Sequence, residues 1–193
     1  DIREKLHVAI GKNTSSMFDE HHRVISGNAT DQALMKFLGE DSYLKMKEDP
    51  SLEIFASQKF NSSNKFSQAQ IGGLTYYKGA PERLLQKADR YMGTDGQLHP
   101  LDLSCINQRI DTLAKKAMRV IAFGYSEEPL QENCISGNLV LIGLAAIRDD
   151  VRPEARIAIN DVQKAGIQVV MITGDRLETA SAIAKDAGLV HSD

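Results

Sequence analysis

Lys78 ends a run of β-forming residues, Leu74-Thr75-Tyr76-Tyr77, and Gly79 follows at once. A flexible cation therefore stands beside backbone that a ligand can approach closely. Pro81 suits the first turn of a helix, and Glu82 favours the same start. An ordinary strand-to-helix turn with an exposed lysine would read the same way. Thr173-Gly174-Asp175 follows a continuous apolar run, at the place where open α/β folds bind ligands. A hydroxyl and backbone N–H groups at a helix start suit phosphate. Asp175 would repel phosphate unless Mg2+ or another cation intervened; it would otherwise serve as a helix cap. Asp149-Asp150-Val151-Arg152-Pro153 reads as a solvated linker, or as a hinge whose Asp and Arg face a ligand shared between domains. Phe60 lies at a strand end with Lys65 close by. An exposed ring there can stack on a nucleobase and the lysine can neutralise phosphate, although most strand phenylalanines are core. Arg119 opens a strand after a long helix, where it would also complement that helix's C-terminus. His21 and His22 are adjacent with no third ligand and read as loop residues, not a metal site.

The elements that must position these residues follow from periodicity and caps. Arg3 to Ile10 reads as a helix with Leu6, Val8, Ala9 and Ile10 on its apolar side, followed by a polar loop. Asn28 caps a helix that buries Ala33, Leu34, Phe37 and Leu38 and that Gly39 ends. Leu52 to Phe60 alternates as a strand, with Asn61-Ser62-Ser63-Asn64 as a turn. Strands follow near Phe66 to Ile71 and Leu74 to Lys78, joined by a Gly72-Gly73 hairpin turn. Ala80 to Ala88 reads as helical, and Thr94 to Gln97 as a turn. Leu101 to Met118 carries a helical stripe, then Arg119 to Tyr125 and Leu139 to Ile147 read as strands. This sheet-rich first part is expected to form one antiparallel α+β layer. After Arg148 the pattern changes: a helix from Pro153 to Ala165, a buried strand from Ile167 to Ile172, and a helix from Arg176 to Ala187. Helix, buried strand, turn and helix make a piece of a parallel α/β sheet, too small to be a domain by itself.

The chain has 193 residues, enough for one substantial core or one domain plus part of another. Hydrophobic residues make up 42% and charged ones 25%, the proportions of a soluble globular protein. A net charge of −3 gives no general attraction to nucleic acid. Two cysteines, Cys105 and Cys134, lack metal-ligand spacing and fit a reducing cytosol. There is no signal peptide, and the longest apolar run, Leu139 to Ile147, is too short to span a bilayer. The start at Asp1 without a methionine reads as a soluble piece of a longer protein.

Taken in order, these motifs resemble the cytoplasmic region of the P-type cation-transporting ATPases over most of the chain. GNATDQAL (27–34) resembles the family's G-x-x-T/S-E-x-A-L element, and KFNSSNKF (59–66) its F-[ND]-S-x-[RN]-K segment. KGAPERLL (78–85) resembles K-G-A-P-E, and AMRVIAFGY (117–125) the arginine-bearing strand. IRDDVRPEA (147–155) resembles D-P-x-R-P-E; VVMITGD (169–175), with RLETASAIAKDAGL (176–189), resembles M-[IV]-T-G-D and its helix.

The resemblance implies a fold and a set of roles. Residues 1–147 would form the nucleotide-binding domain, an antiparallel sheet flanked by helices. Residues 148–193 would be a hinge and part of a phosphorylation domain, a helix-strand-helix piece of the haloacid-dehalogenase-like α/β type. Phe60 would stack on the adenine of ATP, with Asp31 near its amino group. Lys65 and Lys78 would line the pocket, Lys78 deepest, and Gly79 would let the ligand approach. Arg119 would contact the phosphate chain. Asp149 and Arg152 would sit at the hinge, and Thr173, Gly174 and Asp175 would face the transferred phosphoryl group. ATP and Mg2+ would be the cofactors, and the transported cation would bind elsewhere.

The chain departs from the family pattern in places. Asp31 stands where Glu is usual, one methylene shorter, and Asp150-Val151 replaces the commoner residues after Asp149. The D-K-T-G-T loop with the phosphorylated aspartate is absent, as are the later G-D-G-x-N-D loop, the membrane helices and the actuator domain. Asp175 is therefore not the nucleophile, and the piece alone is expected to bind ATP without turning it over. The parent would be an integral pump with this region on the cytoplasmic side of a bacterial inner membrane, carrying calcium. FNSSNK also resembles sodium/potassium pumps. A soluble haloacid-dehalogenase-class phosphohydrolase and a non-catalytic nucleotide-binding module are the alternatives; the first needs an Asp-x-Asp loop, which this sequence lacks.

Overall fold

The computed structural model describes residues 1–148, 151–174 and 177–190. They divide into two units, Asp1–Leu101 with Ile121–Ala145, and Asp102–Val120 with the chain from Ala146 on.

The first unit opens with α1 (Ile2–Gly11), capped by the Asp1 carboxylate. The stretch expected to be loop contains a two-stranded antiparallel ribbon, β1 (Met17–Phe18) with β2 (Val24–Ile25). Next comes α2 (Ala29–Leu38), whose N-cap Asn28 accepts the Asp31 N–H at 2.9 Å. This helix buries Asp31, Leu34, Met35 and Leu38, while Phe37, expected in the core, is 71% exposed. The buried arc is rotated by one or two residues from the one read off the sequence, so Met35 takes the inward position. A third helix, α3 (Glu40–Glu48), was not expected. It buries only Met46, so it has no apolar stripe to read; acidic residues in its first turn and lysines in its last complement the dipole instead.

Seven strands then make one sheet: β3 (Ile54–Gln58), β4 (Phe66–Ile71), β5 (Leu74–Gly79), β6 (Ala88–Met92), β7 (Leu98–Pro100), β8 (Met118–Ser126) and β9 (Leu139–Arg148), in the order β3-β4-β5-β8-β9-β6-β7. The β3–β4, β4–β5, β5–β8 and β6–β7 pairs are antiparallel, and β6 runs parallel to β9. The β4–β5 turn places Gly72 at φ 57° and Gly73 at φ 82°. Both angles are left-handed, which the twist of a two-residue hairpin demands and which glycine permits without strain. The helix expected over 80–88 is only α4 (Pro81–Leu84); Ala88 already belongs to β6.

Strands β4 and β5 are buried on both faces, so polar and apolar residues alike are enclosed. Tyr77, Phe66 and Phe123 are among the largest fully buried side chains, and each contributes about 1.5–3 kcal/mol on the usual scale of core burial. The enclosed polar groups need partners. The Asn13 amide donates to the Ser67 carbonyl at 3.1 Å. Three others reach residues 127–138, the segment between β8 and β9. The Gln68 amide donates to the Gln131 carbonyl at 2.7 Å, the Thr75 hydroxyl to the Glu128 carbonyl at 2.8 Å, and the Tyr77 hydroxyl pairs with Ser136 at 2.9 Å.

In the second unit, α5 (Leu103–Ala114) is capped by Asp102 and packs on α7 (Leu177–Asp186). Helix α6 (Pro153–Lys164) is tied to the far end of α7, since the Arg156 guanidinium donates to the Asp186 carbonyl. The strand expected over Ile167 to Ile172 does not form: Ile167 is 58% exposed, Val170 68% and Ile172 94%. A parallel strand depends on hydrogen-bonded neighbours. Among the described residues no strand pairs with this run, so it forms no regular element and stays largely solvated. Of the helix-strand-helix piece expected there, only the helices form.

Burial in the first unit sets an alkaline limit on stability. Tyr76 stacks near Tyr125 with ring centroids 6.4 Å apart, and burial, reinforced by Glu4, pushes its hydroxyl from 10.0 up to about 12. The folded state therefore keeps this proton while the unfolded chain releases it above pH 10. The associated stability is intact below pH 10 and is lost as pH rises towards 12, a fall of about 2 kcal/mol. Urea titrations across that window should show the midpoint dropping, with a shallower drop in Tyr76→Phe. An identical slope in both proteins would assign the effect elsewhere.

Candidate functional site

The site is built where α2 faces β5. Position 78 lies on the interior strand β5, and its register partners are Ser67 on β4 and Phe123 on β8. A lysine is thereby carried into the interior of the unit. Asp31, in the first turn of α2, meets it: Lys78 Nζ lies 2.5 Å from Asp31 Oδ1, with only 7% and 9% of the two side chains exposed. The other carboxylate oxygen accepts the Ser15 N–H at 3.2 Å. Burial pushes the Lys78 ammonium below its ordinary range, and Asp31 opposes that by its charge and its hydrogen bond. An ammonium carries three N–H donors, of which Asp31 takes one. A buried, oriented cation and its counter-ion are thus fixed at the start of a helix and the end of a strand.

Lys65 and Phe60 belong to the loop between β3 and β4. Lys65 adopts φ 60°, and its N–H closes the loop on the Asn61 carbonyl at 2.9 Å. Its carbonyl accepts the Ala80 N–H at 2.9 Å, which fastens the loop beside Gly79. Lys65 Nζ pairs with Glu82 at 3.4 Å. Both groups are about half exposed, so that pair is worth at most about 1 kcal/mol and is easily exchanged for another anion. Arg83 Nε donates to the Asn64 carbonyl at 3.1 Å. Glu82 and Arg83 therefore hold the loop from α4, a role that a helix-start reading of Glu82 did not reveal. Phe60 is 52% exposed and lies outside β3. The core position usual for a strand phenylalanine is not the one it takes, because the strand stops at Gln58.

Gly79 has a backbone reason to be glycine. A Cβ there would stand 2.5 Å from the Lys65 carbonyl oxygen and 2.6 Å from Phe66 Cβ. Neither atom is the far end of a flexible side chain, so Gly79→Ala must push β4 and the Lys65 loop away. The expected loss is about 1–3 kcal/mol of stability, read as a lower thermal midpoint. An alanine variant as stable as the wild type would show that the loop yields freely.

The structure brings Asp31, Lys65, Lys78 and Gly79 together by contact or register, with Phe60 on the same loop as Lys65. Arg119 lies on β8, in the second unit and exposed, three residues before Ala122, the register partner of Gly79. Arg152 is the exposed N-cap residue of α6. Thr173 and Gly174 are exposed in the irregular run before α7. Asp149 and Asp175 lie outside the described residues. Among the described residues no group of three His, Cys, Asp or Glu side chains could hold a metal ion. A half-exposed ring, an exchangeable lysine and a deep buried cation suit a ligand with a flat aromatic end and an anionic end.

Comparison with known proteins bears on the same region. Residues 3–154 match the family model described as P-type ATPase, cytoplasmic domain N. A protein of Oryza sativa subsp. japonica named Calcium-transporting ATPase 10, plasma membrane-type, is 32% identical over 88% of this chain and 18% of its own length. Calcium-transporting ATPase 1 of Saccharomyces cerevisiae is 30% identical over 98% of this chain and 21% of its own. A Probable cation-transporting ATPase F of Mycobacterium tuberculosis is 41% identical over 60% of this chain and 13% of its own. The chain thus spans at most 21% of the length of these relatives.

Proposed function

The chain belongs to the P-type ATPases, as a cytoplasmic domain N, and on that premise we propose that it binds ATP for a cation pump. The reading is carried by the buried Lys78–Asp31 pair next to the loop that bears Phe60 and Lys65. In this proposal Phe60 stacks on adenine, Asp31 and Lys78 hold the deep end of the nucleotide, and Lys65 leaves Glu82 for the phosphates. Mg2+ arrives with ATP as part of the substrate. Arg119 contacts the phosphate chain, Asp149 and Arg152 form the hinge, and Thr173, Gly174 and Asp175 face the transferred group.

Residues 1–147 are proposed as the nucleotide-binding domain and 148–193 as the hinge and the first part of the phosphorylation domain. Phosphoryl transfer depends mainly on positioning and charge neutralisation. A nucleotide held on a mobile lobe can be delivered to an aspartate on another lobe, so closure couples transfer to the state that the transported ion selects. The acceptor aspartate, the actuator and the transmembrane helices belong to the rest of the same pump, with this domain on the cytoplasmic side of the membrane. No helix among the described residues is long and apolar enough to cross a membrane. The names of the plant and yeast relatives favour calcium as the transported ion.

Titration of a non-hydrolysable ATP analogue, followed by amide NMR, tests the reading. Phe60, Lys65 and Lys78 should respond together, along one binding curve, with no turnover of ATP by this chain alone. Responses that are absent, or that scatter over separate surfaces, would end it.

A further inference from the structure

The segment 127–138 crosses the sheet without regular secondary structure, yet it is fastened along its length. Besides the bonds from Gln68, Thr75 and Tyr77, the Leu130 N–H donates to Gln70 Oε1 at 3.2 Å. At its turn the chain reaches Asn133, which adopts φ 59°. From there it grips the two ends of the neighbouring loop. Asn133 Oδ1 accepts from Gln58 Nε2 at 2.8 Å and from Asn64 Nδ2 at 2.5 Å, and the Asn133 N–H donates to Gln58 Oε1 at 2.8 Å. Gln58 is in turn held by Gln68, its register partner on β4, at 2.7 Å. Gln58 is the last residue of β3, two before Phe60, and Asn64 immediately precedes Lys65. A single side-chain oxygen therefore spans the loop from its entry to its exit.

We propose that Asn133 is a positioning residue: it fixes the loop carrying Phe60 and Lys65, and so sets the affinity for ATP, an effect that rests on the nucleotide reading above. The residue type fits the place. A left-handed backbone is tolerated best by glycine, asparagine and aspartate, and only the last two offer the acceptor. A loop of this length, left unpinned, would have to be ordered when it binds a base and a phosphate, and affinity would fall by that cost.

The test uses Asn133→Gly, which keeps the backbone angle and removes the acceptor, and Asn133→Asp, which keeps both. Two readouts are taken on the full 193-residue chain. The first is amide hydrogen exchange at Asn64 and Lys65, whose N–H groups close the loop on Asn61 at 2.7 and 2.9 Å. The second is ATP affinity by calorimetry. In the glycine variant exchange at both amides should quicken by about tenfold, and ATP should bind about five- to tenfold more weakly. The aspartate variant should return both to near the wild-type values. A glycine variant with unchanged exchange overturns the proposal whether or not ATP binds. So does an unchanged ATP affinity where the wild type binds, or an aspartate variant as impaired as the glycine one. Failure of the wild type to bind ATP would sink the nucleotide reading instead, leaving the exchange rates to decide whether Asn133 holds the loop.

Discussion

Asp31→Ala is expected to lower the stability of this chain by about 3–5 kcal/mol, the largest loss of any single change considered. The reason is asymmetry. The pair sits 2.5 Å apart with both side chains more than nine-tenths buried, so truncating the acid leaves an ammonium in a site that solvent barely reaches. Removing both charges does not have that consequence. Lys78→Met with Asp31→Leu replaces the pair by apolar groups of similar size and is expected to lie within about 1–2 kcal/mol of the wild type. The coupling between the positions, obtained from that double variant and its own two single variants, Lys78→Met and Asp31→Leu, should therefore be several kcal/mol and favourable.

A pH dependence accompanies it. Burial already holds the folded Lys78 pKa below the ordinary 10.5, with Asp31 opposing the shift. Without Asp31 the opposing influence disappears, so the folded lysine gives up its proton at lower pH still. Between that lowered value and 10.5 the unfolded chain binds more protons than the folded one, and stability must rise with pH. Urea midpoints of Asp31→Ala measured between pH 7 and 10 should climb more steeply than those of the wild type. Parallel curves, or a loss below about 1 kcal/mol, would mean that Lys78 reaches water and that the pair is an ordinary surface contact.

The sequence made the parts of this arrangement visible but not their pairing. The hairpin at Gly72-Gly73, the strands on either side of it and the cap of α2 are local features, and local chemistry is what a single sequence carries. Asp31 and Lys78 were both marked as site residues, yet placing them within 2.5 Å of one another is a matter of tertiary register, for which no spacing rule exists. The exposure of Phe60 and of Phe37 was not legible for a related reason. Their exposure depends on where β3 ends and how α2 is rotated, and one or two residues decide each case. The run from Ile167 to Ile172 shows the converse. Its composition states what it would bury, but a parallel strand exists only beside its neighbours. Asn133 was missed altogether, since a lone polar residue in a polar segment gives no signal until its hydrogen bonds are seen. A positive φ at an asparagine is the one hint that such a position leaves.

Phe60→Ala should weaken ATP binding by about 5- to 150-fold, the equivalent of about 1–3 kcal/mol for one stacked base. The ring is 52% exposed, outside the core, so the same change should move the unfolding midpoint by less than about 0.5 kcal/mol. That separation of affinity from stability distinguishes a stacking ring from a packing one. Phe55 supplies the control. It lies on the edge strand β3, is 84% exposed and is also a phenylalanine, so it matches Phe60 in chemistry and is more exposed, but differs in place. Phe55→Ala is expected to leave ATP affinity unchanged, whereas Phe60→Trp, which keeps a flat π-face, should retain most of it. Calorimetric titration of the three variants reads all of these outcomes. Equal affinity in Phe60→Ala and wild type would remove the ring from the site, and equal losses at Phe55 and Phe60 would show a general effect of surface aromatics rather than a base-binding loop.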